Sequence, residues 1–146
     1  MTQESEALCF HFDVDGNNFV SAGEASVQVK KLLRQMGFTP DLIRRVSIAM
    51  YEGEINMVIH AGGGVADICV EPNKVCVTLT DKGKGIENIE LAMQEGFSTA
   101  PENIRALGFG AGMGLPNMKR YADNMEIDSK VGVGTTINME FFVNEA

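Results

Sequence analysis

Cysteine is scarce in this chain: Cys9, Cys69 and Cys76 are the only three among 146 residues. The number is odd and no C-x-x-C pair occurs. A disulfide framework and a zinc site are both disfavoured, and a reduced, cytoplasmic compartment is the simplest expectation. Basic residues are also few, twelve against twenty acidic, for a net charge of −8. Nucleic acid and anionic membrane both require a basic face, so neither is expected as a partner. No apolar run approaches the ~20 residues needed to cross a bilayer. The first ten residues lack a basic segment followed by an apolar one, so no secretory signal is expected. His11 and His60 are the only histidines, which leaves no Ser/His/Asp set, and His11 falls on a strand pattern suited to a structural role. Repeats, low-complexity tracts and linkers are absent. What is present is 45% hydrophobic and 22% charged residues, over a length suited to one globular domain spanning 1–146.

Periodicity places the elements. Residues 7–14 alternate as a strand, and Asp15-Gly16-Asn17-Asn18 turns the chain. A helix is predicted over 22–36, with Ser21 and Glu24 spaced as a capping box and Gly37 at its C-terminal end. Thr39 caps a second helix that starts at Pro40 and reaches His60 or Ala61, where three glycines end it. That helix is apolar nearly all round, which marks it as buried, yet it carries Glu52, Glu54, Asn56 and His60. Strands at 65–71 and 74–80 flank a Pro72-Asn73 hairpin turn. A short helix over 86–94, a loop over 96–110, a helix over 115–123 and strands at 125–129 and 135–143 complete the order. Adjacent strand pairs favour an α+β fold: a two-layer α/β sandwich whose mixed, mostly antiparallel sheet carries helices on one face.

Four segments can carry chemistry. Glu52 and Asn56 lie four apart, so they share a helical face, and His60 continues the row. A carboxylate in a buried helix is costly unless paired. A carboxamide beside it supplies a neutral oxygen for a hard cation such as Mg²⁺, and the carboxylate can then deprotonate a nucleophile. The competing reading pairs Glu52 with a buried arginine or turns it to solvent. Next, Asp81-Lys82-Gly83-Lys84-Gly85 follows a strand. A carboxylate there can accept from an exocyclic amine such as that of adenine, or the segment is an ordinary strand-to-helix turn. Third, Gly108 to Leu115 packs four glycines in seven residues before a helix. Exposed N–H groups at the positive helix end suit phosphates, although the pattern is neither a P-loop nor a dinucleotide fingerprint. Fourth, Gly132-Val133-Gly134-Thr135 enters the last strand as a tight turn, with a threonine hydroxyl able to reach a bordering ligand. A calcium loop on Asp13, Asp15, Asn17 and Glu24 fails, because Asn18 stands where glycine is required. The nine methionines read as core filler.

Taken in order, E-x-x-x-N (Glu52–Asn56), D-x-G-x-G (Asp81–Gly85), G-x-G-x-G-L (Gly110–Leu115) and G-x-G-T (Gly132–Thr135) resemble the ATP-binding fold shared by gyrase, heat-shock chaperones, sensor histidine kinases and mismatch-repair ATPases. The resemblance spans nearly the whole chain. Within that superfamily the chain is most similar to the small anti-sigma factors that are serine/threonine protein kinases. The length, the E-x-x-x-N-x-x-x-H row and the final G-L-x-x-x-K/R helix, with Lys119 and Arg120, carry that likeness. A sensor histidine kinase would need a helical dimerisation segment bearing its histidine. Gyrase-like and chaperone-like proteins would need longer chains.

The resemblance implies ATP and Mg²⁺ as ligands and assigns roles. Asn56 would hold Mg²⁺ on the phosphates, and Glu52 would be the general base for a protein hydroxyl. Asp81 would bind the adenine amine, with Gly83 and Gly85 shaping that wall and Thr135 supporting it. Gly110, Gly112, Met113, Gly114 and Leu115 would cradle the phosphates, and His60 would complete the ATP-binding row. Residues 96–109 would form a lid whose Arg105 reaches the γ-phosphate. An acidic protein can bind a polyanion in this way if a metal and helix-end dipoles act locally. The implied partners are a STAS-type anti-anti-sigma protein, phosphorylated on Ser or Thr, and an RNA polymerase sigma factor, with a homodimer suggested. The alternative is a nucleotide-gated binding module without phosphotransfer. Gly53, inside the helix next to Glu52, departs from good helix chemistry by ~1 kcal/mol unless close packing requires it.

Overall fold

The computed structural model describes residues 7–16, 23–86, 88–93 and 114–143. Among the described residues five strands and four helices follow in the order β1 (Leu8–Asp15), α1 (Glu24–Gln35), α2 (Pro40–Ala61), β2 (Gly63–Glu71), β3 (Lys74–Asp81), α3 (Ile89–Ala92), α4 (Gly114–Tyr121), β4 (Asn124–Lys130) and β5 (Gly134–Phe142). The strands form one sheet in the order β1-β2-β3-β5-β4, and every pairing is antiparallel. The two-layer arrangement is as expected: alternate strand residues are buried against α1, α2 and α4, and among the described residues no helix covers the other sheet face. Phe141, Leu79, Met139 and Ile68 from the sheet meet Leu33, Leu42, Met50 and Met118 from the helices in one core. Burying each such side chain contributes roughly 1.5–3 kcal/mol.

Helix α2 is the axle. The Thr39 hydroxyl accepts from Leu42 N at 3.3 Å, Pro40 opens the helix, and Gly62 closes it at φ 71°. Arg45 anchors the first half of α2, donating to Asp41 at 3.0 Å, Asp123 at 3.1 Å and the Phe142 carbonyl at 3.2 Å. Gly53 is explained by packing. A Cβ there would collide with Leu79 Cδ1 and lie 3.4 Å from Met118 Sδ, so glycine lets α2 sit down on β3 and α4.

Two expectations are corrected. The first helix begins at Glu24 behind an N-cap at Gly23, φ 99°, which makes no side-chain cap bond; Ser21, the expected cap, lies outside the described residues. The capping acceptor comes instead from α2, as described below. Cys9 and Cys69 are joined in a disulfide, where three reduced thiols were expected. Their spacing of 60 residues carries no signal, because the β1–β2 register alone sets them opposite each other. Asp13 and Asp15 lie within β1, so they form no calcium loop. Among the described residues no helix is long and apolar enough to cross a membrane.

Candidate functional site

Glu52 and Asn56 sit on α2, half-buried and one turn apart, where the start of α4 crosses. The Asn117 Nδ2 donates to Glu52 Oε2 at 3.0 Å. Among the described residues Glu52 therefore pairs with an amide and not with an arginine, and Oε1 is left to accept a proton. A Cβ added to Gly114 would lie 2.7 Å from Asn56 Nδ2 and 3.0 Å from its Oδ1. A side chain at 114 would push the Asn56 carboxamide out of this position, which glycine leaves undisturbed. The first amides of α4, including that of Leu115, thus begin beside Asn56, at the positive end of the helix.

The second wall is built from the two other glycine motifs. Asp81 ends β3 opposite Thr135 on β5. Its Oδ1 accepts from Gly83 N at 2.9 Å and Thr135 N at 3.2 Å, which leaves Oδ2 to accept from a ligand amine. Thr135 is buried, and its hydroxyl bonds Ser129 Oγ at 2.8 Å, which in turn accepts from Ile86 N at 2.7 Å. Gly132 N donates to the Lys84 carbonyl at 2.9 Å. Gly85, at φ 83°, lies so near the Lys130 carbonyl that a Cβ would come within 2.5 Å of it. D-x-G-x-G and G-x-G-T, some fifty residues apart, are therefore one meshed corner.

Helix α2 joins the two walls. A Cβ on Gly83 would lie 2.6 Å from Ala61 Cβ and 3.1 Å from the His60 carbonyl, and one on Gly64 would lie 3.2 Å from Asp81 Cβ. Asn56 is one turn, ~5.4 Å, before His60, so Asn56 and Asp81 lie on the same side of the molecule. Burial pushes the His60 imidazole below its ordinary pKa; Lys84 adds to that shift and Asp81 opposes it. His60 is thus a neutral ring between the two walls. Among the described residues no group of three His, Cys, Asp or Glu side chains is set to hold a metal ion. The donor set fits an ion held mainly by phosphates with one carboxamide oxygen, as Mg²⁺ commonly is.

Arg105, Gly110, Gly112, Met113 and the expected lid over 96–109 lie outside the described residues. The structure brings together Glu52, Asn56, His60, Asp81, Gly83, Gly85, Gly114, Leu115 and Thr135. Two residues were missed. Asn117 is three positions after the last glycine of its motif, and only the crossing of α4 on α2 brings it to Glu52. Glu54 is 1% exposed, and its carboxylate accepts from Gly23 N at 3.0 Å, Ala25 N at 3.2 Å and Ser26 N at 2.7 Å. It is the cap of α1, supplied from α2. Burial raises its pKa, and the three amides pull the other way. The lack of an acceptor at position 23, set against a second carboxylate in a buried helix, was the only available signal.

Residues 20–141 match the family model described as the histidine kinase-like ATPase domain. The anti-sigma F factor of Clostridium acetobutylicum is 34% identical over 121 residues, covering 80% of this chain and 81% of that one. The anti-sigma F factor of a Thermoanaerobacter species is 32% identical over 135 residues, covering 86% of this chain and 91% of that one. The solved RsbU and RsbW domains of a Mycobacterium tuberculosis protein share the fold, with TM-score 0.66 at 16% identity over 95% of this chain and 34% of that longer one. The chain belongs to the histidine kinase-like ATPase family, among the relatives of the anti-sigma F factors.

Proposed function

We propose that residues 1–146 act as one ATP-binding domain that is an anti-sigma factor and a serine/threonine protein kinase. Its substrate is a Ser or Thr hydroxyl of a STAS-type anti-anti-sigma protein, and its regulated partner is an RNA polymerase sigma factor. The observation that carries this reading is the Glu52–Asn117 pair, one turn from Asn56 and against the glycine that opens α4. A protein that only bound nucleotide would have no use for a carboxylate oriented there.

Asp81 Oδ2 would accept from the adenine amine, with Gly83, Gly85 and Thr135 forming that wall and His60 the floor. The amides of 110–115 would hold the phosphates, and Arg105 would approach the γ-phosphate from the lid. Asn56 Oδ1 would ligate Mg²⁺, whose charge offsets that of the phosphates when bound. Glu52 Oε1 takes the proton of the Ser or Thr hydroxyl, whose oxygen bonds to the γ-phosphorus as the bond to the β-phosphate oxygen breaks and ADP leaves. Positioning and charge stabilisation are most of what such a transfer requires.

The test uses γ-labelled ATP, the STAS-type partner and two proteins, wild type and Glu52→Gln. Label should pass to the partner with wild type and fall by two orders of magnitude or more with the variant. Equal transfer by both removes Glu52 from the chemistry, and tight ATP binding without transfer leaves a nucleotide-gated module. Mg-ATP at 100 times its Kd should stabilise both proteins by about 2.7 kcal/mol.

A further inference from the structure

The open face of the sheet carries rows that can be followed through successive partners across all five strands, and one of them holds all three cysteines. It runs Cys9 on β1, Cys69 on β2, Cys76 on β3, Glu140 on β5 and Asn124 on β4. Directly opposed residues of an antiparallel ladder project to the same face, so three sulfurs stand in order on adjacent strands. Cys69 is bonded to Cys9, and Cys76 is a free, half-buried thiol. Strands lie about 4.8 Å apart, so Cys76 is one spacing from Cys69 and about 9.6 Å from Cys9.

We propose that this row is a thiol–disulfide exchange site in which Cys69 is the shared sulfur, moving its bond between Cys9 and Cys76. Cys76 gives its proton to solvent and its thiolate attacks Cys69 Sγ. The Cys69–Cys76 bond forms as the Cys9–Cys69 bond breaks, and Cys9 leaves as a thiolate that takes up a proton. One S–S bond is lost and one gained, so no oxidant or reductant is consumed. Displacement at sulfur needs attacking, central and leaving sulfurs near one line, and a row running across the strands supplies that order. A direct Cys9–Cys76 bond is excluded, because two strand spacings exceed the ~7 Å Cα limit for a disulfide.

The ladder also sets the span of each bond. Val143 N donates to the Asn73 carbonyl, so the pairs alternating from there, through Val75 with Phe141, are the hydrogen-bonded ones between β3 and β5. Cys76 opposite Glu140 is then a non-hydrogen-bonded pair, and the peptide groups of Cys76 point towards Cys69. Cys69 and Cys76 form the wider, hydrogen-bonded kind of pair, about 5.5 Å between Cα atoms, and Cys9 and Cys69 the narrower kind, here 4.1 Å. The wider span falls at the commonest disulfide separation, about 5.5–6 Å, and the narrower lies just below the usual range, so each pair can be bridged. Burial raises the Cys76 thiol pKa, with Lys74 opposing and Glu140 and Glu71 adding to the shift, which slows its attack on Cys69. Exchange transfers the covalent tie from β1, an edge strand, to the β2–β3 hairpin. It leaves β1 held by its backbone ladder and puts a free thiol on the exposed Cys9.

The test is pulsed alkylation of the folded full chain purified without reductant, quenched in acid and mapped by peptide mass spectrometry. In wild type, successive short pulses should place label on Cys76 in molecules linked 9–69 and on Cys9 in molecules linked 69–76. Cys76→Ser should abolish the Cys9 label; Cys9→Ser, given oxidised glutathione that is reduced to two glutathione thiols, should form the 69–76 bond; and Cys69→Ser should form no bond between Cys9 and Cys76. Label confined to Cys76 at all times overturns the proposal. So does a Cys9→Ser protein that keeps both thiols free after treatment with oxidised glutathione, three free thiols in wild type, or Cys9 label that persists in Cys76→Ser. The wild-type time course decides the matter even if a variant folds poorly.

Discussion

The two flanks of α2 carry the same side chain to opposite ends. Towards α1, Glu54 is sealed in and holds three backbone amides of another helix. Towards α4, two residues earlier, Glu52 is half-buried and holds a single side-chain amide. Saturating a carboxylate with fixed donors makes it part of the frame. Leaving one oxygen open makes it available for chemistry. Residue type and helical position do not separate these outcomes; the neighbours do.

The largest effect that would break this comparison is on the frame. Glu54→Ala strands three buried donors, each worth ~1–3 kcal/mol when unmet, and should destabilise the fold by about 4 kcal/mol in chemical denaturation. If it behaves like a surface change, Glu54 is no cap. Glu52→Gln should do the reverse: a midpoint of unfolding within about 0.5 kcal/mol of wild type, with phosphotransfer down ~100-fold. Next comes Gly53→Ala. Its methyl collides with Leu79 Cδ1 on β3, and overpacking should cost about 2 kcal/mol despite the better helix propensity. A stabilised variant would mean that α2 does not sit so close. Asn117→Ala removes one hydrogen bond from Glu52, worth ~1 kcal/mol, so kcat should drop ~5-fold while the KM for ATP holds.

The smallest effect is a slope. The folded state lowers the His60 pKa from its ordinary 6.5. Between that lowered value and 6.5 His60 holds fewer protons folded than unfolded, so its contribution to stability rises with pH through the window and is lost on acidification, against the opposite slope from His11, whose pKa Asp67 raises. Thermal melts across this range should show a less positive slope in His60→Gln than in wild type.

Much of the fold could be read along the chain. Thr39, Pro40 and Gly62 bound α2 where local chemistry demands, and alternation in 65–71 and 74–80 produced a hairpin as expected. The glycine motifs and the Glu52–Asn56–His60 row were legible because each is a short spacing on one element. Asn117 was not, because its link to Glu52 crosses between helices 65 residues apart. The Glu54 cap and the Cys9–Cys69 bond were hidden for the same reason, at separations of about thirty and of 60 residues.

By itself the sequence determined the elements, their turns and the kinds of group that could meet a polyanion, because propensity, capping and periodicity act over a few residues. Tertiary structure alone decided that β5 inserts between β3 and β4, which carboxylate is frame and which is free, and which cysteines face one another. Those outcomes depend on contacts between distant segments, and no local pattern encodes the register in which two surfaces come to rest.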